Sequence, residues 1–487
     1  MVSQTKKPFF YMHLSLGLFM MFVFGRVFKP FAPFTEVGMQ ILGIFIGLIW
    51  MWVFLGLLWP SLLGIVALGI SDFSSFNQVL ASGFGNNVAV LILFTMILFG
   101  AVQAAGVTQY ITRWFLTRKI INGRPVMFSF IFMYCAYVMG TVALVPTIIL
   151  MWSILYGVFQ EVGYKPGDKY CTIMVIGTFF GAISGQAAFP FTGAALMILG
   201  VFETTSGVSM PVLPYILLGF IMSTLGIIFY SLMIKFVFRP DMSKLADVNV
   251  DMFDKDKLPP MNKQQKTLFG FMLAFLLLSI APSILPGAWG VTRTINSMTT
   301  PGIAVLLVSL VCVVRADGKP IMNFQETMRT SVNWDVYFLV VMAMAISSAL
   351  VAPEVGFTDF LKQVLDPILG GHSAAVFFAL MLVTALFITT FANTAIMGML
   401  MMPALVAFGI ASGVHLLSVA ASVIFVLHYS IILPSGSPMA AMLFGNKEWV
   451  TPKDILRYGI VAEIGMTILF ILIAIPLAPR IFALFGH

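Results

Sequence analysis

Apolar runs near residues 9–25, 38–58, 87–105, 211–234, 267–284, 299–314, 335–352 and 456–476 constrain this chain more than any motif it carries. Most are long enough to cross roughly 30 Å of hydrocarbon at ~1.5 Å per residue. Unpaired backbone groups in lipid cost several kcal/mol each, so such runs are helices, which satisfy their own backbone. A soluble globule of 487 residues needs a polar surface that 60% hydrophobic and 9% charged residues cannot supply. The fold class that follows is an all-α polytopic membrane protein with about 11 transmembrane helices.

The first run follows Lys6 and Lys7, but bulky Phe, Arg and Lys come after it where a cleavage site needs small residues, so residues 1–34 read as a retained first helix. Cys135, Cys171 and Cys312 lack metal-ligand spacing and read as packing groups. The methionines Met397, Met399, Met401 and Met402 lie at helical spacing on an apolar arm and read the same way. The net charge of +7 needs no nucleic-acid partner. With the N-terminus inside, only Arg26, Lys29, Arg293, Lys362 and Arg480 of the 26 basic residues fall outside, which places the C-terminus outside.

One polar linker, residues 239–266, divides the chain into halves at 35–238 and 267–487. Phe76-Asn77-Gln78 precedes Asn86-Asn87 and an apolar helix, as Phe324-Gln325-Glu326 precedes Trp334-Asp335 and another. Ala105-Gly106-Val107-Thr108 parallels Val355-Gly356-Phe357-Thr358, and each leads into an amphipathic segment and a hairpin. The hairpins are expected at about 125–160 and 373–411. The amphipathic segment of the first half carries Arg113, Arg118, Lys119 and Arg124, whereas that of the second carries Glu354, Asp359, Lys362 and Asp366. Basic and acidic surface helices belong on opposite faces of the membrane, so the repeats are inverted.

Each hairpin precedes a helix that cannot be continuous. Residues 172–202 contain Ser184-Gly185-Gln186 and Pro190-Phe191-Thr192-Gly193, and residues 416–445 contain Pro434-Ser435-Gly436-Ser437-Pro438. Proline removes a donor and clashes with the preceding turn, so both helices should break within the membrane. A break frees N–H groups suited to a carboxylate and carbonyls suited to Na⁺. A kink that serves packing alone is the rival reading, and two breaks at matching places weaken it. Ala392-Asn393-Thr394, a polar cluster between apolar arms, must likewise face protein, a cavity or a ligand. His428 either contacts an anion or a proton, or is a hydrogen-bonded structural residue. Glu463 pairs with a polar neighbour or faces a watery crevice.

The Asn-Thr tip, Pro403, the segment from Leu433 to Gly445 and the basic loop after it resemble the divalent anion/sodium symporter family, of the ion-transporter superfamily of elevator carriers. The resemblance implies a small di- or tricarboxylate substrate, Na⁺ as coupling ion, a homodimer in the cell inner (plasma) membrane, and hairpins and broken helices moving together. It places the anion at Thr141, Gln186, Thr192, Gly193, Asn393, Thr394, Ser435, Gly436, Ser437 and Pro438, with His428 beside them. Na⁺ would lie at Gly140, Thr141, Ser184, Gly185, Ala392, Asn393, Thr394 and Ser435. The family carries Ser-Asn-Thr at each tip, whereas the first half here offers Met139-Gly140-Thr141. Losing two side-chain oxygens favours a sodium-independent exchanger or a proton-coupled carrier as alternatives, and restoring Asn at Gly140 should strengthen sodium dependence. A channel would need polar rings along a continuous pore. An enzyme would need a Walker loop, a His-Glu-x-x-His or an intramembrane acidic cluster, and the sequence has none of these.

Overall fold

The computed structural model describes residues 7–116, 123–191, 193–247, 260–360, 363, 373–391, 393–434 and 437–486. Among them the only sheet is a pair of two-residue strands, Arg315–Ala316 and Lys319–Pro320, so the protein is all-α. Among the described residues nine helices are long and apolar enough to cross a membrane; Phe324–Ser331 and Trp334–Leu350, bent by 77°, form a tenth span if taken together. Leu277, Phe387, Ile410 and Leu472 lie exposed on the outer surface, where lipid rather than water meets them.

The order of elements recurs. A helix pair (Glu36–Phe54 with Leu58–Gly69; Lys263–Ile280 with Gly290–Val313) leads to a short helix (Phe76–Phe84; Phe324–Ser331) and a long apolar one (Asn87–Ala104; Trp334–Leu350). The long helices begin alike, because Asn86 accepts from the Val88 N–H at 2.9 Å and Asn333 from the Val336 N–H at 3.2 Å. Gly106 and Gly356 follow them at φ +78° and +77°, a region that glycine enters without a Cβ clash. Next come a hairpin (Pro125–Gly140 with Leu144–Glu161; Ala374–Phe391 with Thr394–Ala411), a broken helix and a long helix (Val212–Met233; Ile460–Leu484).

Three local readings change. The run at 38–58 is a single candidate span, Glu36–Phe54, that ends short of residue 58, and a second helix, Leu58–Gly69, begins after Gly56, at φ +120°. The run at 299–314 belongs to a helix from Gly290 that kinks at Thr299, ahead of Pro301. The helix that carries the run at 267–284 begins earlier, at Lys263, because Asn262 and Gln265 form a reciprocal cap that starts it there. Of the amphipathic segments, Val107–Leu116 is helical, while Arg118, Lys119, Lys362 and Asp366 lie outside the described residues.

Glycines set the centre of the molecule. A Cβ on Gly181 would fall 2.4 Å from the Met133 carbonyl oxygen, one on Gly185 2.2 Å from that of Tyr137, and one on Gly140 2.1 Å from that of Ala182. The first hairpin and the first broken helix therefore meet backbone to backbone, as small residues allow inside membranes. Cys135 and Cys171 are buried beside this contact and Cys312 is exposed, all three as free thiols.

Candidate functional site

The first broken helix runs Lys169–Ala188, opens at Phe189–Phe191 and resumes as Gly193–Ser206. Ser184, Gly185 and Gln186 thus stay helical. The break begins later than the sequence suggested, because Pro190 constrains only itself and the residue before it. Carbonyls near the break are bound by neighbouring helices: the Tyr215 hydroxyl donates to Ala187 O at 2.8 Å, Ser223 to Ser184 O at 3.4 Å and Thr95 to Phe191 O at 2.7 Å. The second broken helix runs Leu416–Leu427, unwinds from His428, well ahead of Pro434, and resumes at Pro438–Gly445. Ser437 caps the restart by accepting from the Ala440 N–H at 3.0 Å, and Pro438 takes the first helical position. Ser184 donates to Phe180 O at 2.6 Å, so the bond between the Ser184 and Tyr429 hydroxyls has Tyr429 as donor and ties the two breaks together.

The hairpin tips are built differently. At the first, Thr141 donates to Val138 O at 2.7 Å and Gly140 presses against the Ala182 carbonyl. At the second, the Asn393 Oδ1 accepts from the Ala395 N–H at 2.9 Å and so caps Thr394–Ala411, leaving its NH₂ group outside that bond. Thr394 donates to Leu427 O at 3.3 Å, which fastens this tip to the end of Leu416–Leu427. The His428 Nδ1 lies 2.8 Å from Ile424 O; a carbonyl only accepts, so Nδ1 carries the proton and Nε2 is an acceptor, buried without a protein partner among the described residues.

Between these elements lies a cavity of about 940 Å³. Its lining includes Val142 to Pro146 of the first tip, Gln186 and Gly193 of the first break, Met439 of the second, and Asn333 to Val336. Four helix N-termini therefore converge on it, those of Leu144–Glu161, Gly193–Ser206, Trp334–Leu350 and Pro438–Gly445. Leu144–Glu161 has no side-chain cap, so its first N–H groups are not bound by a capping side chain. Gly193 sits at φ +62° with the Gln186 amide directly over it; a Cβ there would lie 2.1 Å from Gln186 Nε2. Among the described residues no lysine or arginine lines the cavity, and Asp335 is the one acid there. Helix N-termini carry partial positive charge, so amide dipoles rather than a fixed cation set the potential that such a lining offers.

Of the residues singled out from the sequence, Gln186 and Gly193 line the cavity, and Ser437 and Pro438 directly precede Met439 there. Gly140, Thr141, Ser184, Gly185, Asn393, Thr394 and His428 are not among its described lining residues and instead make the contacts given above. Thr192, Ala392, Ser435 and Gly436 lie outside the described residues. Gln103, Gln109 and Asn333 line the cavity unannounced by any motif, and the one available signal was Gln103 as an amide late in an apolar run. Among the described residues no group of three His, Cys, Asp or Glu gathers to hold a metal, and the oxygens around the breaks are carbonyls, hydroxyls and amides, the hard donors that suit Na⁺.

A curated relative, the sodium-dependent dicarboxylate transporter SdcS of Staphylococcus aureus strain USA300, is 22% identical across 98% of this chain and 93% of its own length. The counterpart from strain MRSA252 matches to the same extent. The crystal structure of the YdaH transporter of Alcanivorax borkumensis superposes with a TM-score of 0.57 at 13% identity, over 82% of this chain and 87% of that one, and shares the fold. The family described as the sodium:sulfate symporter transmembrane region matches residues 13–480. A match of that extent, on a multi-pass helical protein whose cavity gathers helix N-termini, makes this chain a member of the sodium:sulfate symporter family, and so a membrane transporter.

Proposed function

We propose that the protein is a secondary active transporter of a small di- or tricarboxylate, coupled to sodium, in which the hairpins and broken helices move together as a transport domain against the remaining helices. The observation that carries this reading is the convergence of four helix N-termini on a cavity whose described lining holds no lysine or arginine. Each N-terminus presents about half a positive charge, so two of them suit each carboxylate of a dicarboxylate. Na⁺ at the breaks offsets the remaining negative charge. The dicarboxylate specificity of the Staphylococcus aureus relatives supports this substrate class over sulfate.

Gln109 and Thr330 line the cavity and lie within four residues in sequence of Arg113 and Arg329, which the charge distribution assigns to the cytoplasm. The cavity then opens inward, with the N-terminus inside and the C-terminus outside. A homodimer in the cell membrane is part of the same proposal. A sodium-independent exchanger is the second reading, favoured by the first tip, where Gly140 leaves no room for the amide that the family carries.

Counterflow in proteoliposomes tests the substrate, comparing succinate, citrate, oxoglutarate and sulfate with and without a sodium gradient. Succinate or citrate exchange that is accelerated by sodium is expected; sulfate-only exchange overturns the substrate class, and indifference to sodium selects the exchanger. Orientation is tested separately. Single cysteines at Lys119 and Lys362, in a background without native thiols, should label from opposite sides, and labelling of both from one side removes the inverted repeat.

A further inference from the structure

We propose that the Glu463 carboxylate is a proton-binding group of the transport cycle, acting through the second break. The proposal rests on the reading of the protein as an anion carrier. Glu463 lies on the last long helix and is 0% exposed. Its Oε2 accepts from the Ile431 N–H at 3.0 Å, and its Oε1 is buried with no protein partner among the described residues. Ile431 belongs to the unwound stretch from His428 to Pro434, so one side chain from a neighbouring helix holds the backbone of the break.

Among the described residues no cation forms an ion pair with this carboxylate. Its helix packs against Val212–Met233, Leu416–Leu427 and Ala374–Phe391. Among the described residues the titratable groups on and beside those elements are Tyr215, Tyr230, Lys235, His415, His428 and Tyr429; the tyrosines and histidines bond elsewhere, to Ala187 O, Ile173 O, the Ser184 hydroxyl, Ile424 O and the Ser418 hydroxyl, and Lys235 lies over the Phe236 ring. On its own helix and the turn before it stand Arg457, Tyr458 and Arg480; none of them is recorded in an ion pair or hydrogen bond with Glu463. A hard metal ion needs a shell of several oxygens, whereas a proton needs one, and one free oxygen is what Glu463 offers. The Thr467 hydroxyl, the nearest further oxygen on the helix, donates to the Glu463 backbone carbonyl instead.

The chemistry balances simply. A proton taken from water on one side forms an O–H bond at the carboxylate, cancels one negative charge where the substrate's own charge must cross, and returns to water on the other side. Protonation also turns the bond from Ile431 from a charge-assisted hydrogen bond into a neutral one, which weakens it. The unwound stretch that leads to Met439 in the cavity wall is thereby loosened, so proton occupancy and the shape of the second break are linked.

Glu463→Gln separates this role from a structural one, because the amide oxygen still accepts from Ile431 while no proton can be released. In proteoliposomes at fixed sodium, an imposed inward proton gradient is expected to stimulate substrate uptake by the wild type, and E463Q is expected to lose that stimulation, each compared with itself without the gradient. E463Q stimulated as strongly as the wild type overturns the proposal, as does a wild type indifferent to the gradient. Loss of the sodium response in E463Q with the proton response kept overturns it too, since the group then holds Na⁺. If E463Q fails to fold, a pH-sensing dye inside wild-type vesicles decides: substrate-dependent acidification supports proton entry, and its absence refutes it. Failure of the carrier reading itself would show differently, as a wild type without uptake or counterflow under any gradient.

Discussion

Gly140→Asn, the substitution that would restore an amide to the first hairpin tip, is expected to abolish transport rather than strengthen its sodium dependence. The first atom of any side chain at Gly140 would lie 2.1 Å from the Ala182 carbonyl oxygen, closer than real Cβ contacts come. Ala182 lies within Lys169–Ala188, whose residues from Tyr170 onward are all buried, so the carbonyl cannot retreat without displacing the whole packed helix. Overpacking a close-packed interior typically costs about 1 to 3 kcal/mol, and contact with backbone rather than with a flexible side chain places this case at the upper end. Melting temperature and yield in detergent should fall together with uptake. Recovery of a stable protein with steeper sodium dependence would show that the two helices can separate, and with it that the backbone contact is not fixed.

Asn393 is expected to show two separable effects. Its Oδ1 caps Thr394–Ala411, and its NH₂ group retains donors for a carboxylate. Asn393→Ala removes both, and loss of the cap alone costs roughly 0.5 to 2 kcal/mol. Asn393→Asp keeps an acceptor for the Ala395 N–H but replaces the donors by a negative oxygen. Stability should therefore survive in N393D while substrate affinity falls. Losing one hydrogen bond to a charged group is worth ~1.5 to 3 kcal/mol, roughly tenfold to a hundredfold in affinity. Thr394→Val should do less to the substrate, because the hydroxyl already donates to Leu427 O. Titration calorimetry and thermal melting on the same purified variants read the two effects apart. Unaltered affinity in N393D confines Asn393 to its role as a cap and removes it from the binding site.

The membrane class and the all-α fold were legible in the sequence because they depend on local properties. An apolar run must be a helix in lipid whatever surrounds it, and Pro190 or Pro438 interrupts a helix by its own covalent geometry. The repeated cues at Asn86 and Asn333 and at Gly106 and Gly356 were legible for the same reason, since caps and positive-φ turns are made within a few residues. Resemblance at the Asn-Thr tip and the Leu433–Gly445 segment pointed to the family that the match over residues 13–480 shows.

Only the tertiary structure decided what meets what. The sequence placed Ser184 beside a break, but its hydroxyl and carbonyl are committed to Phe180, Tyr429 and Ser223, partners from three separate stretches of chain. It read the missing amide at Gly140 as a lost ligand, and the packing adds that glycine is a condition of the helix contact there. It passed over Gln103, Gln109 and Asn333, whose relevance comes from a cavity that helices far apart in sequence enclose. Glu463 carried no motif at all, and its significance arises from the one N–H of Ile431 that it reaches across a helix boundary. Burial and hydrogen bonding between distant segments depend on distances that no local pattern encodes, so the chain announced its elements and the packing assigned their chemistry.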